Sequence, residues 1–90
     1  MEWHKDNVAS KSNIEAVYAK LQKNKFKCAL SGIDLTPDNF CIDHIQSMAD
    51  GGTNDLENLQ CVHPLVNRMK GTMSNQQFIE MCKKVAESNP

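Results

Sequence analysis

Short stretches of this sequence carry side chains able to do chemistry. Asp43 and His44 are adjacent, inside the run Phe40-Cys41-Ile42-Asp43-His44-Ile45. A carboxylate is a hard ligand for a divalent cation. A histidine titrates near neutral pH and can take a proton from water. His63 and Asn67 are four apart at the start of a predicted helix. They therefore share one face, one turn apart, and can reach one metal ion. Arg68 and Lys70 follow, and both suit phosphate, Arg by its planar fork and Lys as a point charge. Asn58 comes after Asp50-Gly51-Gly52-Thr53-Asn54-Asp55-Leu56-Glu57. Its amide can bond the backbone of that loop and hold it in place. Each stretch alone has a plainer reading: a surface Asp beside a half-buried His, a His63 that caps a helix beside a solvated Asn67, and an ordinary loop amide.

The elements that must position these residues follow from periodicity and caps. Residues 1–10 lack a period and read as a frayed arm. Ser12 with Glu15 forms a capping box, and Ile14, Val17, Tyr18 and Leu21 give the helix after it an apolar face up to about Asn24. Lys20, Lys23, Lys25 and Lys27 gather at its C-terminal end, where they suit the helix dipole or a phosphate. Residues 26–35 around Ser31-Gly32 read as an irregular hairpin, and Thr36-Pro37-Asp38-Asn39 as a turn. Phe40 to Ile45 alternates like a strand, residues 48–57 form a long loop, and Asn58 to Val62 is a second strand. Pro64 opens a helix over about 64–70 that ends at Gly71. Ser74 with Gln77 caps a last helix, whose inner face is expected to carry Phe78, Met81, Cys82 and Val85.

Composition bounds the answer. Ninety residues make a single small domain, too short for a two-domain enzyme with a large cofactor cleft. No apolar run is long enough to cross a membrane, and no signal peptide opens the chain, so a cytoplasmic location is expected. The net charge of −1 hides a pattern: residues 1–30 carry +3, residues 31–66 carry −6, and residues 67–90 carry +2. An acidic middle between basic flanks suits a cation beside an anionic substrate, and equally suits a solvated surface. Cys28, Cys41, Cys61 and Cys82 form no Cys-x-x-Cys pair. They read as reduced and mostly buried.

Asp43-His44-Ile45, Gly51-Gly52-Thr53-Asn54, Asn58-Leu59-Gln60 and Asn67-Arg68-Met69-Lys70-Gly71 occur in that order. Together they resemble the HNH endonuclease family. The resemblance extends upstream through Cys28-Ala29-Leu30-Ser31-Gly32 and downstream to about Cys82. It implies an α+β fold: a ββα-metal (His-Me finger) core over about residues 39–71, with an N-terminal and a C-terminal helix. It implies His44 as general base, Asp43 as metal ligand, and Asn58 as the residue that pins the loop and orients the imidazole. Asn67 stands at the third letter of the motif and is implied as the second ligand. His63 falls where colicin-type nucleases place a further metal-binding histidine. The implied reaction is DNA phosphodiester hydrolysis to a 5′ phosphate and a 3′ hydroxyl. The implied setting is a phage or bacterial cell.

The sequence departs from the family at the structural zinc. Many members carry two Cys-x-x-Cys pairs, but this chain has Cys28-Ala29-Leu30-Ser31 and His63-Pro64-Leu65-Val66 in their places. Two ligands of four are too few for a closed site, so no structural zinc is expected, and Val66 is expected in an apolar contact. Mg²⁺ or Mn²⁺ suits Asp43 and Asn67 alone, while Ni²⁺, Co²⁺ or Zn²⁺ becomes credible if His63 joins. Double-stranded DNA is the expected partner, contacted by Arg68, Lys70, Lys25 and Lys27. A monomer should nick, and a homodimer or a protein partner would be needed to cut both strands. The rival reading is a non-catalytic nucleic-acid- or protein-binding module that keeps the fold.

Overall fold

The computed structural model describes the backbone of residues 11–90 and side chains from Ile14 onward. The arm expected over residues 1–10 lies outside the described residues. Helix α1 spans Lys11–Lys23, strand β1 Cys41–His44 and strand β2 Leu59–Val62. Helix α2 spans Pro64–Lys70 and helix α3 Asn75–Ser88. The fold is α+β, a small ββα unit flanked by two further helices. Among the described residues, no helix is long and apolar enough to cross a membrane.

α1 already includes Lys11 and Ser12, so Ser12 is not its N-cap. Val17 and Leu21 are buried, Ile14 is half-buried and Tyr18 lies at the surface, so the inward stripe is narrower than periodicity predicts. The helix closes on two tight bonds, from Phe26 N–H to the Leu21 carbonyl and from Lys25 N–H to the Gln22 carbonyl. Lys25 sits there at φ 56°, the left-handed conformation that ends many helices. The chain then makes the irregular hairpin, with Lys27 opposite Asp34 and the Cys28 N–H bonded to the Ile33 carbonyl. The turn at 36–39 closes with a bond from Asn39 N–H to the Thr36 carbonyl.

β1 and β2 pair antiparallel, with Cys41 opposite Val62, Ile42 opposite Cys61, Asp43 opposite Gln60 and His44 opposite Leu59. Residues directly opposite share a face of the ribbon, and neighbours alternate. Leu59 and Cys61 therefore face α1, where the Cys61 thiol reaches the Val17 carbonyl. Cys41 and Asp43 face α2. Because both faces are covered, β2 is buried along its whole length, and the core gathers Val17, Leu21, Leu59, Cys61, Val62, Val66 and Phe78. Val66 packs in that core, as the missing zinc ligands led us to expect.

The loop between the strands is not featureless. It contains single 3-10 turns at Met48–Asp50 and Leu56–Asn58. Gly51 ends the first at φ 88°. Gly52 follows against the Gln46 backbone, where an added Cβ would meet the Gln46 carbonyl oxygen at 1.9 Å. Only glycine fits so close an approach.

The last helix begins as expected, with the Ser74 and Gln77 capping box formed. Its inner face is a correction. Phe78 is buried, but Met81, Cys82 and Val85 are exposed. Only the first turns of α3 touch the core, and among the described residues nothing covers the rest of that stripe.

Candidate active site

β1 ends at His44, and the loop, α2 and the start of α3 close around that end. Asp43 is buried in the seam between the ribbon and α2. Its Oδ2 forms an ion pair with Lys70 Nζ at 2.8 Å and accepts from Gln60 Nε2 at 2.9 Å. Among the described residues, no hydrogen bond is made to its Oδ1. Lys70 is 1% exposed and donates also to the His44 carbonyl at 2.7 Å. This corrects the expectation that Lys70 contacts DNA: it cannot reach solvent, and its charge is answered within the fold. A buried ammonium without such partners would cost several kcal/mol.

His44 is half-buried, with Nε2 at 2.7 Å from Asn54 Oδ1. A carbonyl oxygen only accepts, so Nε2 donates in this bond, and in the neutral ring the lone pair lies on Nδ1. Asn54 was quoted in the sequence motif but given no role there. A side-chain amide in the loop, ten residues past the histidine, is the signal that could have marked it.

Asn58 holds the loop through three bonds. Its Oδ1 accepts from Gln46 N–H at 2.9 Å, and its Nδ2 donates to the carbonyls of Gln46 at 3.0 Å and Thr53 at 2.7 Å. Its own carbonyl accepts from Ile45 N–H at 2.9 Å. The loop that presents Asn54 is thus closed onto the end of β1. Lys20 reinforces it from α1, donating to the carbonyls of Leu56 and Leu59, both at 2.8 Å. The sequence offered Lys20 to the helix dipole or a phosphate; it serves the loop instead.

Asn67 and Lys70 are three apart and share a face of α2. Asn67 lies beside Cys41 and Lys70 beside Asp43, two residues along the same face of β1. The amide and the carboxylate therefore line one seam. His63 is placed differently. It is the N-cap of α2, and its Nδ1 accepts from Leu65 N–H at 3.1 Å. It follows β2 at the Cys41 end, three residues and about 10 Å of strand beyond Gln60. Among the described residues, no three His, Cys, Asp or Glu side chains converge to hold a metal. Asp43, His44 and His63 are thus not brought together as one ligand set.

The residues present fit a hard divalent ion rather than a closed cage. Asp43 is buried, with Oδ1 outside the hydrogen bonds of the described residues, and Asn67 lies on the same seam. Mg²⁺ characteristically takes one or two carboxylates and fills the rest of its shell with water and substrate phosphate. Of the other residues expected to contact phosphate, Arg68 and Lys25 are exposed, and Lys27 is exposed and paired with Asp34.

The thiols differ from one another. Burial lifts the Cys61 thiol to about 11, against a small opposing effect of Lys20, and burial also raises Cys41. Burial acts upward on Cys28 too, but the Ser31 side chain and the backbone N–H groups of His63, Ser31 and Leu30 outweigh it. Cys28 ends below its ordinary value.

Two antiparallel strands, a tied loop between them and a helix directly after form a ββα core of the kind HNH nucleases use. The HNH endonuclease family model matches residues 26–72, just over half of the chain, and the chain belongs to that family. Membership points to nuclease chemistry on nucleic acid and to use of a divalent metal ion. A comparison with curated proteins gives no significant match.

Proposed function

We propose that this protein is a metal-dependent DNA endonuclease that nicks one strand per site, with His44 as general base. The observation that carries the reading is the bond from His44 Nε2 to Asn54 Oδ1 at 2.7 Å. It holds the ring by Nε2, which in the neutral form leaves the Nδ1 lone pair as the proton acceptor. That proton would come from the attacking water, a contribution worth about 10²–10⁴-fold. Asn58 keeps the loop closed so that Asn54 stays on the imidazole. Asp43, through Oδ1, and Asn67 would hold the divalent ion, with Mg²⁺ or Mn²⁺ favoured by oxygen donors. When bound there, the ion supplies charge neutralisation at the scissile phosphate and stabilises the departing 3′ oxygen. Lys70 acts on Asp43 and not on DNA. Arg68, Lys25 and Lys27 remain as backbone contacts. So few cations give weak, salt-sensitive binding. His63 stays outside the ligand set, since its Nδ1 is committed to the cap of α2.

The rival is a binding module that has kept the fold without the chemistry. Supercoiled plasmid separates the two. The nuclease converts it to the open circle with Mg²⁺ or Mn²⁺ and stops in chelator. A binding module retards the plasmid and leaves it intact in every metal.

A further inference from the structure

Asp43 does not choose its own orientation. Gln60, opposite it on β2, donates from Nε2 to Asp43 Oδ2 at 2.9 Å. The same nitrogen donates its second proton to Asn75 Oδ1 at 2.7 Å, and Asn75 Nδ2 donates back to Gln60 Oε1 at 3.0 Å. The two amides thus form a reciprocal pair. A primary amide has a donor end and an acceptor end of nearly equal shape. The Asp43 carboxylate only accepts, so it selects the orientation that turns the Gln60 nitrogen toward it. Asn75 holds the amide in place there: it accepts from that nitrogen and donates to the oxygen, so both ends of Gln60 are engaged.

Asn75 is itself anchored. It is the first residue of α3, and its N–H donates to the Ile45 carbonyl at 2.8 Å. The preceding Ser74 accepts from Ser47 N–H at 2.9 Å and donates to Asp50 Oδ2 at 3.2 Å. The start of α3 is therefore tied to the site loop, although it lies beyond the family match, which ends at residue 72.

We propose that Asn75 is a positioning residue of the metal site. Acting through Gln60, it fixes Oδ2 of Asp43 and leaves Oδ1 turned toward the cation. The inference rests on the reading of Asp43 as a metal ligand. It also assigns the start of α3 a part in the site rather than in the core alone. Partners that orient a ligand in this way are commonly worth 10- to 100-fold in metal affinity.

The test is Mn²⁺ binding to the full chain without DNA, read by electron paramagnetic resonance, with thermal unfolding alongside. Asn75→Ala should weaken Mn²⁺ binding by about 10-fold or more. Asn75→Ser, whose shorter side chain has one hydroxyl and cannot engage both ends of the Gln60 amide, should show the same loss while keeping a polar helix start. Gln60→Met should match them, and adding Asn75→Ala to it should cost nothing further, because the two act as one chain. Unchanged affinity in Asn75→Ala, or a loss that adds fully to that of Gln60→Met, overturns the inference. If wild-type binding is absent or survives Asp43→Ala, the metal reading itself falls and takes this inference with it. A site lost in Asp43→Ala but indifferent to Asn75 leaves that reading standing and removes the inference alone.

Discussion

At the Asp43–Gln60 end of the β-ribbon the buried groups are a carboxylate, an ammonium and amides, each held by the next. At the Cys41–Val62 end they are thiols and branched aliphatics: Cys28, Cys41, Val62 and Val66. Only a few residues of strand separate the two. The first end holds polar groups in fixed orientations, at the risk that losing one partner strands another. The second end supplies burial, which tolerates change and orients little. A catalytic carboxylate needs the first kind of surroundings. The second end is held by apolar packing around Val62 and Val66.

The contrast breaks most visibly at Lys70. Lys70→Met removes the partner of a buried carboxylate, and we expect a loss of about 3–5 kcal/mol in urea unfolding at neutral pH. A loss under about 1 kcal/mol would mean that Asp43 is not committed to this pair. Asn58→Ala is the next largest effect. It removes three hydrogen bonds in a solvent-exposed loop, each worth about 0.5–1.5 kcal/mol net. Hydrogen exchange should show the Gln46 amide losing protection, with nicking falling alongside. Unchanged protection would show that the loop closes without this side chain.

At the other end the effects are smaller. His63→Ala removes a helix cap worth about 1 kcal/mol, and nicking and metal preference should not change. A shift of preference away from Ni²⁺, Co²⁺ or Zn²⁺ in that variant would put His63 back among the ligands. Chelator should stop nicking without moving the thermal midpoint, because the core around Val66 is apolar and no three His, Cys, Asp or Glu side chains among the described residues form a closed metal site. Alkylation of the native chain at pH 8 should mark exposed Cys82 and leave Cys61 unmodified. Cys61 is buried and stays protonated at that pH, with its thiol lifted to about 11.

The same two ends explain what could be read in advance. Strand β2, helix α2 with its Pro64 start, and the Ser74 cap were legible because local chemistry decides them. Asn58 was legible because loop-pinning amides follow a simple rule. Lys70 was not, because lysine is ordinarily a surface residue and only tertiary pairing puts it inside. Gln60 and Asn75 were hidden for a related reason. They lie fifteen residues apart, and an amide pair leaves no periodic trace. The apolar stripe of α3 was over-read: spacing marks a face, but whether anything covers it is a property of the whole fold. Among the described residues Met81, Cys82 and Val85 have no such cover.

We propose His44 as the group that takes the proton from water at a metal-dependent nicking site. Single-turnover nicking of supercoiled plasmid in Mg²⁺ and Mn²⁺, wild type beside His44→Ala, tests it directly. Wild type should give open-circle product, and the variant a rate at least about 100-fold lower with the same thermal midpoint. Equal rates in the two proteins would contradict it.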